Sequence, residues 1–163
     1  MTKDAAAENG LKKIASFTVD HTVLGKGIYI SREDGDCVTY DVRTVRPNCG
    51  VYPSTGAIHT TEHLVATYVR SSPLSDAVVY FGPMGCRTGY YLILRDSVSK
   101  SDAIELILSA FRFTASFEGD IPGASEKECG NWLDHDLAGA KREAESFLAA
   151  AEGWTEDRLT YPE

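Results

Sequence analysis

The chain has 163 residues, 43% of them hydrophobic and 25% charged, which describes one globular domain with a real core and excludes disorder as the default. Twenty-four acidic against 16 basic residues give a net charge of -8, the wrong sign for neutralising phosphates, so nucleic acid and anionic membrane are set aside as partners. No apolar run approaches the roughly 20 residues that span a bilayer, and the N-terminus lacks the apolar core of a signal peptide, so a cytoplasmic address is expected.

Residues 1–12 are expected to form a loose extension, and residues 13–163 a single domain without repeats or linker-like blocks. Ile28-Tyr29-Ile30 reads as a strand. The break at Glu33-Asp34-Gly35-Asp36 and the alternation of Val38, Tyr40 and Val42 with Thr39, Asp41 and Arg43 predict an antiparallel hairpin whose second strand runs from Cys37 to Val45. A helix follows over 58–72, carried by Leu64, Val65, Tyr68 and Val69, although Thr60 and Thr61 are indifferent helix formers. Ala77–Phe81 and Tyr90–Leu94 are β-rich and enclose the loop Gly82-Pro83-Met84-Gly85-Cys86-Arg87-Thr88-Gly89. Apolar periodicity then predicts helices over 101–117, capped by Ser101, and over 133–152, with a loop between them that holds Pro122 and Cys129. Strands come early and helices late, the order of an α+β fold.

His59-Thr60-Thr61-Glu62-His63 is the most informative pentapeptide. On a helix, histidines four apart project from one face and can share a metal ion, while Glu62 flanks that face and can move protons without being a ligand. The pattern H-x-x-E-H is a known metal-binding spacing, though short enough to arise by chance. A third ligand is needed, and Cys86 and Cys129, both in loops, are open candidates for a zinc or ferrous site. For Cys86 the exposed amides of its glycine-rich loop and the adjacent Arg87 would favour a reactive thiolate. Arg43, between apolar neighbours on a strand, can grip a carboxylate in bidentate fashion. His21 and His135 read as ordinary polar residues, the latter solvated near a helix cap, and Cys37 and Cys49 receive no role. The loop around Cys86 matches no nucleotide-binding fingerprint.

Taken together, Ile58-His59-Thr60-Thr61-Glu62-His63-Leu64, Gly82-Pro83-Met84-Gly85-Cys86-Arg87-Thr88-Gly89-Tyr90-Tyr91, Cys129-Gly130 and His135-Asp136-Leu137 closely resemble the S-ribosylhomocysteine lyase (LuxS) family. Ser16-Phe17-Thr18-Val19-Asp20-His21-Thr22 and Tyr40-Asp41-Val42-Arg43 fit its early segments, so the resemblance runs from about Ser16 to Phe147. It implies an antiparallel sheet with helices packed on one face. It also implies one divalent metal per subunit, ferrous iron natively or zinc, held by His59, His63 and Cys129. Glu62 and Cys86 would be the acid/base groups, and Ser16, His21 and Arg43 the substrate-holding residues, at the interface of a homodimer.

The implied reaction converts S-ribosyl-L-homocysteine to L-homocysteine and 4,5-dihydroxy-2,3-pentanedione, the autoinducer-2 precursor, which places the enzyme in the methyl cycle and quorum sensing. The chain carries Tyr80-Phe81-Gly82 where many members have Asp-Ile-Ser. Two rival readings are an H-x-x-E-H metallopeptidase, with Glu143 or Glu145 as third ligand, and a noncatalytic module dimerised around a closed metal site.

Overall fold

The computed structural model describes residues 10–163, so most of the expected N-terminal extension, residues 1–9, lies outside the described residues. A hairpin opens the fold: β1 (Gly27–Asp34) turns at Gly35, where φ is +59°, into β2 (Cys37–Arg43). After α1 (Thr55–Arg70) the chain forms β3 (Val78–Pro83) and β4 (Gly89–Arg95), then α2 (Lys100–Ser116) and α3 (Leu137–Ala151). The four strands make one antiparallel sheet in the order β1-β2-β4-β3, as the α+β reading expected.

All three helix starts differ from the expected ones, and capping chemistry explains each. Ser99 rather than Ser101 caps α2, its hydroxyl accepting the Asp102 N–H. In α3 the Asp136 carboxylate accepts the Gly139 N–H, so the helix begins at Leu137, four residues later than apolar periodicity placed it. Helix α1 begins at Thr55 behind the Ser54 cap.

The period-two pattern of the strands sends one set of side chains toward the helices. Tyr40, Val42, Tyr90, Leu92 and Leu94 are almost completely buried there. Phe81 stacks on Tyr90, Tyr90 meets Phe111 edge-on, and Phe111 packs on Phe147 of α3 at 4.5 Å between centroids. The register of β2 on β4 is pinned at Gly89, opposite Arg43, where an added Cβ would lie 2.5 Å from the Val42 carbonyl oxygen.

A carboxylate sits inside this core. The Glu143 carboxylate accepts the Thr44 hydroxyl at 2.7 Å and the Tyr90 hydroxyl at 3.0 Å, with Thr61 at 3.5 Å. Burial pushes its pKa above the ordinary value near 4.5, against the downward pull of those three hydroxyls. Folded Glu143 therefore holds its proton more tightly than in the unfolded chain, and its contribution to stability falls as pH rises through that range. Glu143→Leu, which strands the Thr44 and Tyr90 hydroxyls, is expected to cost about 2–3 kcal/mol in urea unfolding at pH 7. Glu143→Gln is expected to cost less than about 1 kcal/mol at pH 7, and the wild type should gain on it as the pH is lowered toward 4.5.

Candidate metal centre and thiol pocket

Helix α1 presents His59 and His63 one turn apart, facing the loop that carries Cys129. Backbone carbonyls fix both rings: His59 Nδ1 donates to Asp134 O at 2.8 Å and His63 Nδ1 to Pro122 O at 2.7 Å. In the neutral ring this tautomer puts the lone pair on Nε2, the atom that would bind a metal. Both Nε2 atoms point at the Cys129 sulfur, at 3.4 Å and 3.8 Å. Tetrahedral bonds of about 2.3 Å to sulfur and about 2.0–2.1 Å to nitrogen would separate two such donors by about 3.5 Å. This donor set fits a divalent transition ion. Of the two loop cysteines that the residues alone left open, Cys129 is the one in this group.

His135 is the residue that sequence reasoning missed. Rather than being solvated at a cap, it stacks on His59 with centroids 4.2 Å apart and stands edge-on to His63. Its ligand atom joins those of His59, His63 and Cys129 in a group of four, all within 4.8 Å of one another. Its Nδ1 meets the Thr60 hydroxyl at 3.0 Å, while its buried Nε2 has no hydrogen-bond partner. Burial first, then the neighbouring imidazoles, push its pKa below the usual histidine value. Only its place beside Asp136-Leu137 in the sequence marked it, and nothing in that segment predicts that Thr60 would draw the ring inward.

Neither carboxylate of the peptidase reading joins this group. Glu143 is committed to core hydroxyls, and Glu145 is exposed on the outer face of α3. Glu62 lies half-buried on α1 beside His63.

The remaining predicted residues meet around a different cavity. Ser16, His21, Arg43 and Cys86 line a space of about 480 Å³ together with Asp41 and Tyr161, and none of His59, Glu62, His63 or Cys129 borders it. The cavity lies against the sheet face opposite the helices, because Asp41 and Arg43 alternate with Tyr40 and Val42 along β2. His21 Nδ1 donates to Val19 O at 2.9 Å, which leaves Nε2 available.

Arg43 is buried, not a surface cation. Its Nε and Nη2 pair with Asp41 at 3.1 Å and 2.5 Å, and its Nη1 donates to Thr88 Oγ1 at 2.7 Å and lies 4.0 Å from the Cys86 sulfur. Burial opposes its charge, but the Asp41 carboxylate outweighs burial and raises its pKa. The positive group beside the thiol is thus Arg43. Arg87, expected in that role, instead lies over the Tyr52 ring at 5.7 Å. Cys86 itself is exposed in its loop, with Thr88 Oγ1 3.0 Å away. The two cysteines given no role stay outside both groups, Cys37 beside Asp36 and Arg95 and Cys49 against the Val51 carbonyl.

Comparison with known proteins gives a consistent family. The profile of the S-Ribosylhomocysteinase (LuxS) family matches residues 14–158. The chain is 49% identical over 158 residues to an S-ribosylhomocysteine lyase of Phocaeicola vulgatus, covering 93% of this chain and 98% of that protein. It is 45% identical to one from Clostridium acetobutylicum and 43% identical to one from Porphyromonas gingivalis, each covering 94% of this chain and all of the relative.

Titration with cobalt(II) in place of the native ion is expected to give one equivalent per chain with a thiolate-to-metal charge-transfer band. Cys129→Ala should abolish that band and weaken binding by about 100-fold or more, whereas Cys86→Ala should leave both unchanged. A band that depends on Cys86 would assign the sulfur ligand to the wrong loop.

Proposed function

Because this chain belongs to the S-ribosylhomocysteinase (LuxS) family, we propose that it cleaves its substrate at a metal centre held by one subunit and closed by the thiol pocket of a second copy. It is a carbon–sulfur lyase acting on S-ribosylhomocysteine. The observation that carries the site assignment is the convergence of two carbonyl-tethered imidazoles on the Cys129 sulfur, each turning its Nε2 toward it.

One divalent cation per subunit, ferrous iron natively with zinc able to replace it, would be bound by His59, His63 and Cys129. When bound, it supplies a Lewis acid that favours negative charge on the sugar oxygens. His135, stacked on His59, holds that ring in place and adds a third nitrogen at the edge of the site. The chain's own groups do the rest. Breaking the bond between sulfur and C5 requires the carbonyl to move from C1 to C3, which makes the C4 proton acidic. Cys86 and Glu62 move the carbon-bound and hydroxyl protons in each of these steps, and loss of the C4 proton expels homocysteine as a thiolate from C5. Only protons and electron pairs shift along the sugar while each oxygen stays on its carbon, so no external oxidant is required. Arg43, held by Asp41, keeps a guanidinium N–H 4.0 Å from the Cys86 sulfur, the atom that acts as base. Ser16 and His21 line the same cavity and are assigned to hold the substrate.

A homodimer is supported by the division of labour within one chain and by exposed apolar side chains beside both halves. Ile14 and Phe17 flank Ser16, and Trp132 and Leu133 follow Cys129, with Leu133 at 76% exposure. A reducing, cytoplasmic setting agrees with four free cysteines. Among the described residues no helix is long and apolar enough to cross a membrane.

Incubating anaerobically purified protein with S-ribosylhomocysteine and titrating released thiol tests the reading. Cys86→Ala and Glu62→Gln are each expected to lower release by about 1,000-fold or more while the metal is retained. A differently tagged Cys86→Ala/Glu62→Gln heterodimer, which contains one site with neither substitution, should recover about half the wild-type rate. No recovery would place Cys86 and Glu62 in the same subunit's site.

A further inference from the structure

The segment after α3 returns to the thiol pocket, and two anchors fix its path. Trp154 is buried with its indole against Gly27, where an added Cβ would lie 2.2 Å from the ring, and the Arg158 guanidinium covers that indole at 3.6 Å. Leu159 is buried, and its carbonyl accepts the Ile30 N–H of β1 at 2.8 Å, tying the tail to the edge of the sheet. Two residues on, Tyr161 stacks on Tyr29 with centroids 5.1 Å apart and planes 24° apart. Its hydroxyl donates to Asp41 Oδ2 at 2.8 Å, and its side chain lines the cavity that holds Ser16, His21 and Cys86.

Asp41 is 0% exposed, so every partner its carboxylate has must come from the protein. Oδ1 receives Arg43 Nε, and Oδ2 receives both Arg43 Nη2 and the Tyr161 hydroxyl. The same guanidinium turns its other nitrogen, Nη1, to Thr88 and Cys86. Its orientation is thus set by a competition. The more of the Asp41 charge that Arg43 alone must satisfy, the more closely the guanidinium is drawn to the carboxylate and away from the sulfur. A phenol that shares the load relieves that pull.

We propose that Tyr161 is a positioning residue of the thiol pocket, which acts through Asp41 to hold the Arg43 guanidinium at the Cys86 sulfur. The C-terminal segment is then one wall of the active site and a determinant of thiol reactivity. Tyr161 suits the task because burial and the Asp41 charge push its pKa upward, so the phenol remains a donor. Its part in turnover rests on the lyase reading. Its effect on the thiol does not.

Two measurements keep the two apart. In the metal-loaded protein without substrate, the rate at which iodoacetamide alkylates Cys86 is followed at pH 7 by mass spectrometry of the Cys86 peptide. Tyr161→Phe keeps the ring on Tyr29 and deletes only the hydroxyl, so it should melt within about 2 °C of the wild type. It should also alkylate Cys86 about five- to tenfold more slowly. With S-ribosylhomocysteine, kcat should fall by a similar factor while KM changes less than about twofold. A chain ending at Thr160 should slow alkylation at least as much. A ring that serves only as packing predicts wild-type alkylation and wild-type kcat in Tyr161→Phe, and that result would overturn the proposal. Slowed alkylation in a protein whose wild type releases no thiol from the substrate would leave the positioning role standing and sink the lyase reading instead.

Discussion

The two-residue alternation along β2 is the constraint on which the thiol pocket depends. Val38, Tyr40 and Val42 turn toward the helices, and Thr39, Asp41 and Arg43 turn the other way. A slip of one residue against β4 would drive the Asp41–Arg43 pair into the aromatic layer of Tyr90, Phe111 and Phe147 and bring the valines out. Gly89 forbids the slip at close range, because only a residue without Cβ passes the Val42 carbonyl there. Hydrophobic patterning thereby determines where a guanidinium meets a thiol, although none of the apolar residues touches either.

Charge is buried on both sides of this strand, by different means. On the helix-free face, Asp41 and Arg43 are 0% and 3% exposed and neutralise each other through two hydrogen bonds, with Tyr161 and Thr88 taking the remaining edges. A well-packed apolar pair of similar volume would generally be no less stable. What the ion pair gives instead is a fixed cation facing a cavity, which no apolar pair could provide. On the helix side, Glu143 has no countercharge, only hydroxyls, and its pKa rises accordingly. The first arrangement is oriented toward Cys86. The second is closed on itself and faces no group of either half-site.

Much of this was legible in the sequence because it rests on local periodicity. The hairpin of β1 and β2, the β-rich runs around the Cys86 loop and the spacing of His59 and His63 all follow from residues a few positions apart. What stayed hidden depends on residues far apart in the chain. The residues alone left Cys86 and Cys129 as equal candidates for the sulfur ligand, and the family resemblance chose between them. His135 read as solvated because its inward turn depends on the Thr60 hydroxyl, 75 positions earlier. The two threonines that looked indifferent as helix formers are buried for such contacts, Thr60 to His135 and the Asp136 N–H, Thr61 toward Glu143. Arg87 was the natural cation for Cys86 by adjacency, yet Arg43, 43 positions away, is the one that reaches to 4.0 Å from the sulfur through the pairing of β2 with β4. Tyr161 gave no signal at all, since a lone tyrosine near a chain end has no periodicity to read.

The separation of cation and thiol within one chain has a chemical logic in the proposed dimer. A thiolate within bonding reach of a divalent transition ion is itself a strong ligand and would occupy the position that sugar oxygens need. If Cys86 stood on α1 among the histidines, a four-coordinate site of two imidazoles and two sulfurs would result, the composition of a structural rather than a catalytic centre. In that dimer, Cys86 on the far side of the sheet, with Arg43 rather than a metal beside it, would stay out of the coordination shell and leave a position open for substrate. In the proposed dimer, the width of the interface rather than the length of a side chain would set the gap between cation and thiol. That gap is where a ribose chain, whose carbonyl must move two positions between Cys86 and Glu62, would need its room.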